Sequence, residues 1–280
     1  MSILAVFLPF VGTLLEEFSA SIGKLKVKIR EQSFYSFAVL QLFGGFVFFA
    51  VLTAVKRDLF VFSVASLPTL LLRFVLETLQ VYATIYAIIR ADRSTYGFIR
   101  VGTMPLLLAV DVAMGYAIRA TQIFGIGLIL ASILLVFLGK KFGKAGTISV
   151  IISTVNAVVT ISLYKYNITN FNTVAAEQLV MLGLLSLFFI IMAFTVGREN
   201  PFKLITKPIY FGQAVSVGLA SLLESFAYAL GPASVILAAK RASAVFWAMA
   251  AGNLYFHERH FLFKLTVFAL LAGGIILLII

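Results

Sequence analysis

A chain of 280 residues with 62% hydrophobic and 12% charged side chains holds more apolar surface than a soluble domain of that length can bury, so its expected solvent is lipid. The net charge of +11 would suggest nucleic acid in a soluble protein. Here the Lys and Arg gather in short loops between apolar runs, where they mark membrane topology instead, and no nucleic-acid partner is expected. The chain has no cysteine, which excludes disulfides, thiolate metal sites and cysteine catalysis.

Crossing a bilayer core of about 30 Å takes roughly 20 apolar residues at about 1.5 Å each. Ten stretches qualify as candidate spans: 2–22, 34–55, 66–89, 94–118, 123–138, 147–163, 172–196, 209–230, 232–256 and 261–280. The first has no Lys or Arg ahead of it and is interrupted by Glu16 and Glu17, so a retained helix is expected rather than a signal peptide. The apolar runs are continuous rather than alternating, which favours helices over a β-barrel. Connectors such as 198–207 leave no room for a soluble domain.

The two halves resemble each other. A shift of 139 residues lays Tyr116 on Tyr255, Phe124 on Phe263 and Leu138 on Leu277, and brings Val101 onto Lys240 with Arg100 one position away. A shift of 137 lays Ala38, Gln41 and Leu42 on Ala175, Gln178 and Leu179. The reading is an all-α integral membrane protein whose ten transmembrane helices form two five-helix repeats, 1–143 and 144–280, in one membrane domain. Five being odd, the second repeat is inverted relative to the first.

Residues 232–280 carry small residues after a turn, then Lys240-Arg241-Ala242-Ser243-Ala244-Val245-Phe246, then Glu258-Arg259, then a helix with Gly273-Gly274. This segment resembles the last two helices of the drug/metabolite transporter superfamily, EamA-like branch. In the first half Thr103-Met104-Pro105-Leu106 holds the family's proline; Ala244 replaces it in the second, and Arg119 stands where Glu258 would map. The resemblance implies a ten-helix secondary transporter for a small-molecule substrate, with the third, fourth, eighth and ninth helices lining the pathway and both termini in the cytoplasm.

The charge count points the other way on orientation. Lys24, Lys26, Lys28, Arg30, Arg90, Arg93, Lys140, Lys141, Lys144, Arg198, Lys203, Lys207, Arg259 and Lys264 fall in or beside the odd loops, against Lys56, Arg57, Arg119 and Lys165 on the even side. The positive-inside rule therefore puts the odd loops in the cytoplasm and the termini outside. Asn167-Ile168-Thr169 would then be an exposed glycosylation sequon.

Charges within the stretches are the candidate chemistry, because an ionised side chain at membrane depth is costly and marks a pathway or a pair. Arg73 and Glu77 lie four apart on one helix face, which suits either a mutually neutralising pair or a pathway. Arg100 and Asp111, eleven apart, share a stripe of the fourth stretch; Gln213, Glu224 and Tyr228 align on the eighth. On the ninth, Lys240 and Trp247 share a face, with Ser234 and Arg241 on the next. Lys240 or Arg241 is expected to contact substrate, with Glu224, Glu77 or Asp111 as partner in its absence. Glu16 and Glu17 have two readings. A desolvated carboxylate in the first helix has a raised pKa suited to proton coupling, which the resemblance implies through the small multidrug exporters, distant relatives of that superfamily; the plainer alternative places both near Lys24 in headgroup water.

Lesser features have structural readings. Glu177, Gln178 and Asn156 suit hydrogen bonds between helices, and Gly44, Gly45, Gly273 and Gly274 suit close helix packing. His257 and His260 are three apart where a metalloprotease pair needs four, so they read as an interfacial rim, with no metal or other cofactor expected. A secondary transporter, monomeric or homodimeric, in the plasma membrane is the leading reading, its direction open. A lipid-linked carrier or flippase is the alternative. An integral membrane enzyme is disfavoured, since no metal cluster, nucleotide loop or nucleophile–base arrangement is visible.

Overall fold

The computed structural model describes the backbone of residues 3–113, 119–138, 145–230 and 233–279; the side chains of Asp111, Glu224, Tyr228 and Ser234 lie outside the described residues. No strand occurs among the described residues. The helices are α1 (Ile3–Lys28), α2 (Phe34–Val55), α3 (Leu67–Arg90), α4 (Arg93–Arg100), α5 (Thr103–Ala113), α6 (Ala120–Leu138), α7 (Thr147–Asn170), α8 (Val174–Thr195), α9 (Pro201–Ile205), α10 (Pro208–Leu230), α11 (Ala233–Leu254) and α12 (Phe261–Ile279). Among the described residues four helical segments are long and apolar enough to cross a membrane: Phe34–Val55, Val64–Arg90, Thr147–Asn170 and Val174–Thr195. Such segments are the mark of a membrane-embedded chain.

Local chemistry sets the ends. Ser33 caps α2 by accepting from Ser36 N at 3.0 Å, and Thr173 caps α8 by accepting from Ala176 N. Asn200 caps α9, with Pro201 at its first position, where a missing N–H is harmless.

The fourth stretch is not one helix. Pro105 has no N–H to donate to Val101 O, so that carbonyl accepts from Met104 N instead, at 2.9 Å, and Gly102 N turns back to Ile99 O at 2.9 Å. These tighter bonds separate α4 from α5. The stripe joining Arg100 to Asp111 presupposes an unbroken helix, which this stretch is not.

The chain divides into two compact units. The first comprises Met1–Glu17, Tyr86–Val158 and Leu223–Ile280; the second comprises Phe18–Ile85 and Val159–Leu222. Each draws on residues from both sides of position 143.

In the second unit α2 lies along α8 in the opposite direction. Ser33 N, ahead of α2, donates to the Glu199 carboxylate beyond α8 at 2.8 Å; at the other end Thr173 N donates to Val61 O at 3.0 Å. A Cβ on Gly45 would sit 3.3 Å from Leu182 Cδ1, so a small residue permits the approach. Gly44 is tighter still against α10, where a Cβ would lie 2.5 Å from Ala214 O.

In the first unit α4 runs antiparallel to α11. Arg93 N, at the start of α4, meets Glu258 just past the end of α11, and a Cβ on Gly97 would fall 3.1 Å from Ala248 Cβ. Helices α6 and α12 pair likewise: Gly274, late in α12, lies where a Cβ would be 2.9 Å from the carbonyl of Gly125, early in α6. The core here joins Phe98, Val101, Ile129, Val245, Met249 and Leu271, all nearly solvent-free. Gly273, expected to serve close packing, has nothing within 4 Å of a built Cβ; its neighbour Gly274 makes the contact.

Candidate functional site

Each unit contains a buried ionic cluster. In the second, Glu177 sits in the first turn of α8, where the aligned N–H groups favour a carboxylate. It is wholly buried. Its Oε1 accepts from Arg73 Nη1 at 2.8 Å and from Asn167 Nδ2 at 2.9 Å; its Oε2 accepts from Asn172 Nδ2 at 2.6 Å. Thr69 Oγ1 donates to Asn167 Oδ1 at 2.6 Å, and the Tyr164 ring lies 4.7 Å from the Arg73 guanidinium carbon. Arg73 thus belongs chiefly to Glu177, a residue read from sequence only as an interhelical hydrogen-bonding group. Glu77, the expected partner one turn away, is at 3.4 Å.

That geometry overturns the sequon. Asn167 is fully buried and its amide is already donated, so it is not an exposed glycosylation acceptor. Gln213, a pathway candidate on α10, is also fully buried, and neither atom of its side-chain amide has a hydrogen-bond partner among the described residues. A polar group in that state is accounted for by strain, a functional contact or bound water.

In the first unit Arg93 is among the most deeply buried large side chains. Its Nε and Nη2 reach Glu17 at 2.7 and 2.6 Å in a two-pronged pair. Glu258 takes the Arg93 N–H at 2.5 Å, the Ser94 hydroxyl, and Lys264 Nζ at 2.8 Å. It therefore caps α4, since Asp92 at the cap position contributes no side-chain bond. A Cβ on Gly252 would collide with the Glu258 carboxylate at 2.6 Å.

Burial corrects two expectations. Glu17 is not in headgroup water but is 8% exposed inside an ion pair. Arg93, Lys264 and Lys24, counted as loop charges, are 2%, 3% and 8% exposed, and burial removes them from the topology tally. Lys240 Nζ lies 3.2 Å from Glu16 Oε1, a partner beyond those expected; of these, Asp111 and Glu224 have side chains outside the described residues.

The Lys240–Glu16 pair differs in kind from the other two, with side chains 23% and 40% exposed. Beside it the Trp247 indole donates to Phe10 O at 2.9 Å, and its ring lies 4.8 Å from that of Phe10. On α4 Arg100 donates to Ser153 Oγ at 2.5 Å and faces the Tyr96 ring. The structure thus gathers Glu16, Glu17, Lys240, Arg100 and Trp247 in the first unit, and Arg73, Glu77 and Gln213 in the second. Asp111, Glu224 and Tyr228 fall outside the described side chains. Sequence reasoning missed Arg93, Glu258, Lys264, Asn167 and Asn172. One signal was present: an acid in the first turn of an apolar helix, as Glu177 is, requires nearby donors, and asparagines flank it.

No protein-family model and no curated protein matches this chain.

Proposed function

We propose that this chain is a secondary transporter, moving a small organic solute across a membrane by alternating access between two inverted five-helix repeats. The observation that carries the reading is the contrast among its buried charges. Arg93 and Arg73 are held by short, dry, multiply bonded partners, whereas Lys240 meets Glu16 at 3.2 Å with both side chains partly exposed. A cation within an apolar helix that is partly exposed, opposite a partly exposed carboxylate, is one that a substrate carboxylate or similar group can reach. The unsatisfied amide of Gln213 supports a polar pathway in the same sense.

Support for the repeats comes from the helix pairs. Counting along the ten stretches, α2 and α8 are second and seventh, α4 and α11 fourth and ninth, α6 and α12 fifth and tenth. Each pair joins equivalent helices of the two halves, and each is antiparallel, as inversion requires. The resemblance to EamA-like transporters points the same way.

The test begins with a thermal-shift screen of the purified protein against amino acids, nucleosides, sugars and organic cations. A ligand at 100 times its Kd raises stability by about 2.7 kcal/mol. Lys240→Gln and Arg241→Gln are then compared in proteoliposome uptake of the hit. At least one should fold and lose or re-specify uptake. Wild-type rate and selectivity in both would place the site elsewhere, and translocation of a labelled lipid headgroup instead of a solute would favour a lipid carrier.

A further inference from the structure

In the second unit, segments far apart in the chain are tied into one corner at the start of α2 and the end of α8. Besides the Ser33–Glu199 bond, the Tyr210 hydroxyl donates to Glu31 O at 3.0 Å. The two segments, 26–33 and 196–211, hold six cations, Lys26, Lys28, Arg30, Arg198, Lys203 and Lys207, against two carboxylates, Glu31 and Glu199. Both carboxylates are engaged, Glu31 by Lys26 at 2.5 Å and Glu199 by the Ser33 amide. All the cations but Lys26 are exposed. Large apolar side chains stand exposed among them: Ile29 at 55%, Phe202 and Ile209 at 44%, Phe211 at 55%.

The backbone adds an independent observation. Arg30 and Arg198 adopt φ of 61° and 49°, the left-handed region that disfavours side chains. They follow the ends of α1 and α8, where Glu31 N reaches Lys26 O at 2.9 Å and Glu199 N reaches Ala193 O at 3.0 Å. Glycine is the usual residue at such a turn. In α1 the helix dipole already has Lys26 and Lys28 in the last turn, so neither turn geometry nor dipole accounts for arginine at position 30.

We propose that this corner docks the headgroups of anionic phospholipids, its cations taking the phosphates while Ile29, Phe202, Ile209 and Phe211 enter the acyl boundary. Two helices long and apolar enough to span begin or end within a few residues of it, which places the charges at headgroup depth. The interleaved apolar side chains favour a lipid surface over an acidic polypeptide, which would meet a uniformly polar face. The proposal rests on the membrane-length helices and stands whether or not the chain transports a solute.

The full chain in nanodiscs of phosphatidylcholine, with and without phosphatidylglycerol, tests it by native mass spectrometry of retained lipid and by melting temperature. Wild type should retain phosphatidylglycerol preferentially and melt higher in its presence. Each juxtamembrane cation contributes about a fivefold factor, so the pair Arg30→Gly and Arg198→Gly should weaken retention on the order of 25-fold. In neutral discs the same variant should melt at or above wild type, because glycine suits both turns. Lys203→Gln with Lys207→Gln provides a second variant that leaves both turns intact, with a similar loss expected. Unchanged retention in both variants, or no preference in wild type, would overturn the proposal. Tight binding to soluble polyglutamate with indifference to phosphatidylglycerol would assign the corner to an acidic protein partner instead.

Discussion

Arg93 and Arg73 pose one electrostatic problem, a guanidinium 2% and 4% exposed, and each is answered by a carboxylate supported by further bonds. Removing one partner of such a pair leaves an uncompensated buried charge, typically about 3 to 5 kcal/mol destabilising, whereas replacing both with neutral groups of similar volume is often close to neutral. Arg93→Met and Glu17→Gln should therefore each lower the melting temperature of the purified protein markedly, and the double variant should recover most of the loss. Additive losses in that cycle would mean that the two side chains do not interact. Why Arg93 escaped the sequence reading is visible at this scale. A hydropathy stretch stops at charges, so Arg93 and Glu258 fall to loops, and Lys264, near the start of its stretch, counts beside one. Glu16, Glu17, Lys240 and Arg73 were legible because they interrupt apolar runs, but their partners were not, since pairing such as Arg73 with Glu177 crosses 104 positions.

Helix ends and breaks were legible to different degrees for a physical reason. The ends of α2 and α8 coincide closely with the apolar stretches because capping residues and charges lie side by side in the sequence. The break between α4 and α5 lies inside an apolar stretch, and only Pro105 announced it. Glycines show the same limit, because sequence cannot tell a glycine that admits a neighbour from one that faces open space. A Cβ on Gly44 would meet the carbonyl oxygen of Ala214 and the amide nitrogen of Gly218 at 2.5 and 2.8 Å, backbone atoms that cannot swing aside. Gly44→Ala should therefore cost about 1 to 3 kcal/mol, as overpacking does. Gly273→Ala should be neutral or gain up to about 1 kcal/mol from helix propensity. Denaturation of the two variants in one detergent measures the difference, and equal effects would refute the close approach of α2 to α10.

For the molecule as a whole, the proposed inversion of the second half makes a prediction that the absence of cysteine allows to be tested cleanly. In the second unit the start of α2 lies beside the end of α8, and the end of α2 beside the start of α8. If both helices cross the bilayer, positions 26 and 203 share one face and positions 58 and 169 the other. The positive-inside rule assigns the first pair to the cytoplasm. Burial of Lys24, Arg93 and Lys264 trims that excess, but the exposed cations at 28, 30, 198, 203 and 207 remain on the same side. Single cysteines at 26, 58, 169 and 203, probed with a membrane-impermeant thiol reagent in intact cells and in inverted vesicles, should divide two against two. Labelling of 58 and 169 from outside, with 26 and 203 protected until the membrane is inverted, is the expected pattern. The opposite sidedness would keep the repeats and reverse the orientation, placing the termini inside as the family resemblance implies. Labelling of 26 and 203 from different faces would break the antiparallel pairing of α2 with α8 and, with it, the inverted-repeat transporter.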